Sequence, residues 1–121
     1  MRIASWIGHS LGAALFLLSA AVQLNDPDPL RWVLLYATAA LLAALAPLRH
    51  PTIRRASGAL ALIATLWGAW ILSGDLPPLD AQRLAGDPSM QAPGTESWRE
   101  GLGLLFIALY HALIAVWPER Q

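Results

Sequence analysis

The chain has 121 residues, 56% of them hydrophobic and only 13% charged, and its formal net charge is zero. A soluble domain carries roughly 25% charged residues, so water is not the only solvent this composition suits. All eight cations are arginine and none belongs to a long basic tract, which excludes nucleic-acid binding as a class; the absence of cysteine excludes disulfides, thiolate metal sites, iron–sulfur clusters and cysteine nucleophiles.

Residues 3–22 pass without a formal charge, and at about 1.5 Å per residue such a run spans the ~30 Å hydrocarbon core of a bilayer. A membrane helix is expected over 3–23. The rival reading is a signal peptide, with Arg2 as its basic start and Ser19-Ala20-Ala21 as a small-residue cleavage site. The run is longer than the usual apolar region of about 7–15 residues and the rest of the chain is equally membrane-like, which favours an uncleaved span. After Asn25-Asp26-Pro27-Asp28-Pro29 a second helix is expected over 29–46, with Arg31 at its mouth. Asp28 is placed to cap its free N–H groups and Pro29 to occupy the first turn, so helices one and two form a tight antiparallel hairpin. Pro47 ends the second helix, and 48–55 reads as a short basic loop. A third helix is expected over 56–73, with Trp67 and Trp70, stopped by Pro77 and Pro78. An outer loop follows over 74–96, with one or two helical turns at 79–84. The fourth helix, over 97–117, opens on the capping-box pattern Ser97-Trp98-Arg99-Glu100. No strand-like alternation occurs. The expected fold is an all-α integral membrane protein, an antiparallel up-down four-helix transmembrane bundle forming a single membrane domain over 1–121.

Arginine placement sets the expected orientation. Arg49, Arg54 and Arg55 share one short loop, which should face the cytoplasm; four spans then put both termini, with Arg2 and Arg120, on the same side, and leave Arg31, Arg83 and Arg99 outside. The expected location is the bacterial inner membrane with cytoplasmic N- and C-termini. Every acidic residue except Glu119 falls on the outer side, which describes that face but does not orient the chain. Trp6 and Trp117 near the inner edge, with Trp32, Trp70 and Trp98 near the outer, match interfacial aromatic belts.

Two constellations carry the candidate chemistry. At the outer face stand Gln23, Asn25, Asp26, Asp28, Arg31, Trp32, Glu96, Arg99 and Glu100. Glu96 and Glu100 are one helical turn apart, and the same surface receives Asp26 and Asp28. Four carboxylates with amide carbonyls beside them would suit Ca²⁺ or Mg²⁺. The same residues also serve as helix caps and dipole partners, neutralised by Arg31 and Arg99, or as a pocket for a lipid headgroup or small ligand. The second constellation is His9 and His111, expected at similar depth on helices one and four. Gly8, Gly12, Ala108 and Ala112 beside them leave room for close helix approach or a cofactor. An ionisable residue inside a membrane is a functional hypothesis by default, and paired histidines can ligate haem iron or a metal ion. Hydrogen bonding across helices is the alternative role. Gly8 and Gly12 form a Gly-x-x-x-Gly face, and Ala64 with Gly68 another small-residue face, suited to close packing.

No phosphate-binding loop or His-Glu-x-x-His motif is present. Ser5, Ser10, Ser19, Ser57 and Ser73 have no partner set in sequence and are expected to bond helical carbonyls. The expected function is non-enzymatic binding of a ligand, ion or partner at the acidic outer face; the alternative is a metal- or haem-dependent redox or transport component using His9 and His111. No cofactor is required by the sequence. The expected partner is the lipid bilayer, with a second copy or another membrane protein as candidate partners and no nucleic acid.

The run Ala21-Val22-Gln23-Leu24-Asn25-Asp26-Pro27-Asp28, followed by Trp32 and Tyr36, resembles the signature of the transmembrane protein 220 family of small multi-helix membrane proteins. Arg99-Glu100 and Gly103-Leu104 resemble that family's second polar cluster ahead of a membrane helix. The basic loop, the outer loop and the two histidines lie outside this pattern. The resemblance implies an integral membrane protein and joins the two polar clusters in one site; it carries no molecular function.

Overall fold

A computed structural model describes residues 2–25, 28–74 and 95–117, with the backbone alone at Arg2, Thr95 and Glu96. Asp26, the Glu96 side chain, the expected turns at 79–84 and nearly all of the expected outer loop lie outside the described residues. Among those described there are four long helices and no strand: α1 (Arg2–Val22), α2 (Pro29–Leu45), α3 (Pro51–Leu72) and α4 (Thr95–Val116). Short 3-10 turns, Gln23–Asn25 and Ala46–Leu48, follow α1 and α2. All four helices are long and apolar enough to cross a membrane.

Which side chains face inward decides the solvent. The buried positions are dominated by alanine, with Ala13, Ala20, Ala39, Ala40, Ala43, Ala61, Ala64 and Ala108 in the core, while Leu11, Leu18, Leu34, Leu62, Leu66 and Leu109 point outward. A bundle in water would reverse this, because so much contiguous exposed apolar surface drives association. In lipid the outward leucines lose nothing, and small inward residues let backbones approach for dispersion contacts. Gly68 carries that argument on α3: a Cβ there would stand 3.2 Å from the Leu104 Cβ and 3.5 Å from the Gly101 carbonyl oxygen.

Contacts are dense within α1–α2 and within α3–α4, and lighter between the two pairs. Near the start of α3 the Arg54 Nη2 donates to the Ala115 carbonyl at 3.1 Å, and near its end Gly68 meets Leu104, so α3 and α4 run antiparallel. Helices α1 and α4 meet in the same sense through His9 with Tyr110 and Phe16 with Phe106. Of the Gly-x-x-x-Gly pair, only Gly12 is used in packing: a Cβ on it would fall 2.7 Å from the Tyr110 hydroxyl, whereas Gly8 faces open space.

Four local expectations are corrected. Helix α3 starts at Pro51 rather than at 56, so Arg54 and Arg55 ride on its opening turns instead of a loop. Arg49 adopts a left-handed φ of 54° and donates its backbone N–H to the Ala46 carbonyl at 3.1 Å, which turns the chain; His50 then caps the new helix, its Nδ1 accepting from the Thr52 N–H at 3.2 Å, and Pro51 takes the first position. Arginine stems long enough to carry the charge to the polar layer make this compatible with a membrane helix. Asp28 precedes α2 but makes no side-chain cap bond; its carboxylate pairs with Arg31 at 3.1 Å. Helix α4 begins at Thr95, which moves Ser97 and Glu100 into the helix and away from the cap position. Trp32, finally, is 1% exposed and belongs to the core, because its position on α2 faces Trp67 of α3.

Candidate functional site

The turn after α1 and the start of α2 build a polar corner. The 3-10 turn packs on α2, which buries Gln23 to 6% exposure while Leu24 and Asn25 stay at the surface. The Trp32 indole stacks on that of Trp67, ring centroids 4.8 Å apart and planes 20° from parallel. The Arg31 guanidinium lies over both rings, 5.3 Å from Trp32 and 5.7 Å from Trp67, tethered by Asp28. A cation held against an indole face gains about 0.5–1 kcal/mol at an exposed site, so Arg31 forms a lid that opens at small cost. Two buried polar atoms of the turn and of α2, Gln23 Oε1 and Trp32 Nε1, have no hydrogen-bond partner among the described residues. One turn further along α2, Tyr36 is buried with its hydroxyl against Gly103 of α4, and the Glu100 carboxylate is close enough for its charge to act on that phenol. The start of α4 therefore reaches the α2 side of the corner.

The second polar centre lies in the bundle interior. His9 Nδ1 and the Tyr110 hydroxyl share a hydrogen bond of 2.6 Å. Tyr110 also meets the Phe16 ring edge-on at 5.3 Å and the His111 ring at 5.3 Å. His111 is fully buried, stacked on Phe16 at 5.6 Å with planes 28° apart, and its Nδ1 stands 3.4 Å from Ser57 Oγ on α3. Its Nε2 has no hydrogen-bond partner among the described residues, and the Ala39 backbone of α2 lies close to the ring. All four helices thus meet around one imidazole. The two histidines are joined through Tyr110, and no group of three or more His, Asp or Glu side chains gathers among the described residues.

The sequence model described as transmembrane family 220, helix, matches residues 15–116. The chain belongs to transmembrane family 220. No curated protein and no solved structure matches it. With its four apolar helices this member of the family is a membrane protein, and the bilayer is the environment its outward surface suits.

Within the family match, the residues expected at the outer face distribute unevenly. Asp28, Arg31 and Trp32 come together at the start of α2, Gln23 is buried in the turn that packs on that helix, and the Glu100 charge acts on Tyr36 one turn further on. Asn25 is exposed and Arg99 half-buried; Asp26 and the Glu96 side chain are outside the described residues. Trp67, Tyr110 and Ser57 were not expected as site members. Tyr110 had a signal in its adjacency to His111, whereas Trp67 required knowing which turn of α3 meets Trp32.

Proposed function

We propose that the protein binds a small polar ligand, without catalysing a reaction, at the corner between the start of α2 and the start of α4. The carrying observation is the pair of buried atoms without partners among the described residues, the acceptor Gln23 Oε1 and the donor Trp32 Nε1. A buried polar group left unpaired costs about 1–3 kcal/mol; a ligand that donates to the glutamine and accepts from the indole removes both penalties at once. Arg31, held by Asp28 and resting on two indoles, is the movable cover. Asp26, Asp28, Glu96 and Glu100 would line its mouth and favour a cationic or donor-rich group, with Ca²⁺ or Mg²⁺ as the simplest such species. In this reading the corner faces outward and both termini are cytoplasmic, on the positive-inside distribution of Arg49, Arg54 and Arg55.

Two measurements test this. Protein purified in mild detergent is denatured and its released species identified by mass spectrometry, with elemental analysis for a divalent cation. The proposal expects one species retained near one per chain and lost in Trp32→Phe. An empty wild-type protein, or the same retention in the variant, defeats it. A reporter fused at Thr52 should be cytoplasmic; a periplasmic signal reverses the orientation.

A further inference from the structure

We propose that the ligand of the corner is an organic cation of the quaternary ammonium class, and that Arg31 is the chain's own occupant of its place. The proposal rests on the reading of the corner as a binding site and narrows the ligand it takes. Trp32 and Trp67 stack with ring centroids 4.8 Å apart. The Arg31 guanidinium carbon stands 5.3 Å from one centroid and 5.7 Å from the other, both inside the ~6 Å at which an indole attracts a cation. Arg31 Nε lies 3.1 Å from the Asp28 carboxylate. Two indoles and a carboxylate around one cation are the elements that recognise a quaternary ammonium, and here they already hold a delocalised, weakly hydrated cation.

A contrast in burial makes Arg31 exchangeable. Trp32 is buried and Trp67 partly buried against the core, so packing fixes the rings, whereas the side chains of Arg31 and Asp28 are 53% and 62% exposed. Contacts of an exposed cation with a ring or a carboxylate are each weak, and the long arginine stem lets the guanidinium move out to water. A ligand that takes its place meets the same two rings and the same carboxylate. Hydration then selects the ion. Mg²⁺ sheds its water reluctantly and Ca²⁺ calls for six or more oxygen ligands, which indole rings do not supply, while a quaternary ammonium has no N–H to keep hydrated. Arg31 is the third residue of α2, at one end of a membrane-length span. That level is reached both by a dissolved cation and by the choline headgroup of a phospholipid.

The test is calorimetric titration of the full chain, stripped of retained species in maltoside micelles, with choline, with phosphatidylcholine dispersed in the same detergent, and with Mg²⁺. At least one choline-bearing titrant should bind wild type, and Mg²⁺ at equal concentration should not displace it. Arg31→Ala, at an exposed position, removes the built-in competitor and should bind that titrant about fivefold more tightly, the strength of one exposed cation–ring contact. Adding Trp67→Leu should abolish the gain. Helix content and unfolding temperature of this double variant are read alongside, and Asp28→Asn in the Arg31→Ala background, which should weaken binding, decides the matter if the leucine variant does not fold. Binding of free choline supports the proposal with a dissolved ligand, and binding of phosphatidylcholine alone supports it with a lipid headgroup. Failure of Arg31→Ala to bind either titrant more tightly than wild type overturns it, as does a gain that survives Trp67→Leu or displacement by Mg²⁺. A neutral or anionic species retained by wild type also overturns it, while leaving the corner a binding site; an empty wild-type protein that binds no titrant removes both readings.

Discussion

The corner around Trp32 and the cluster around His111 both bury polar side chains in an apolar bundle, yet they differ in how many hydrogen bonds those side chains make across helices. At His111 the rings support one another: Phe16 stacks on the imidazole, Tyr110 meets both, and hydrogen bonds to Tyr110 and Ser57 tie α1 and α3 to α4. At Trp32 the apolar faces are matched but Gln23 Oε1 and the indole N–H are left without partners among the described residues. The first arrangement is what packing needs, since polar side chains in a membrane interior find partners across helices. The second is incomplete as packing, and on the proposed reading a ligand completes it. His111 Nε2 is likewise without a hydrogen-bond partner among the described residues, so the contrast rests on the bonds that His9 and the other His111 nitrogen make across helices, for which the corner's Gln23 Oε1 and indole N–H have no counterpart among the described residues.

The widest separation between the two centres comes from truncating the histidine. His111→Ala removes a fully buried ring with its stacking partner and should lower stability by about 3 kcal/mol, the cost of a large buried aromatic; unfolding in mixed detergent micelles reads it. His111→Phe, which keeps the stack on Phe16, should recover most of that loss. An alanine variant as stable as wild type would break the view of this cluster as packed core. At the corner the sign reverses. Gln23→Met, close in volume and free of the unpaired acceptor, should leave the ligand-free protein as stable as wild type or more stable by about 1 kcal/mol, and should abolish ligand retention. Tyr110→Phe deletes only the hydroxyl bonded to His9 and should cost about 0.6–1 kcal/mol, the usual scale for such a bond between membrane helices. The smallest effect belongs to Arg31→Gln. Its ion pair with Asp28 is solvent-exposed and its stacking is open to solvent, so a loss near 0.5 kcal/mol is expected, together with faster exchange of whatever the corner holds.

Much of the architecture was readable from the chain because membrane spans announce themselves by length and by missing charge. Residues 3–22 needed no partner to be recognised as a span, and the resemblance to the family was drawn from contiguous residues, Ala21 to Asp28. What failed were readings in which one local signal had two solutions. Arg54 and Arg55 suggested a loop by charge, yet Pro51 behind a His50 cap starts a helix, and long side chains carry the charge to its end. Asp28 before Pro29 looked like a cap, but Arg31 three residues on offered the carboxylate a charged partner. Trp32 fitted an interfacial belt by its position along α2; whether an indole turns toward lipid or toward Trp67 depends on helix rotation, which a single strand of sequence does not encode. For the same reason the histidines could be placed at similar depth while Tyr110, the residue that joins them, was missed.

The central claim is that the corner's two unpaired atoms exist to receive a ligand, and the most direct measurement compares wild type with Gln23→Met. Both are purified in the same mild detergent, their bound species released and quantified by mass spectrometry, and their unfolding followed on the stripped proteins. The account predicts a species near one per chain in wild type, none in the variant, and a stripped variant at least as stable as stripped wild type. Equal contents in the two proteins, or a variant that is markedly less stable with nothing bound to either, would contradict it.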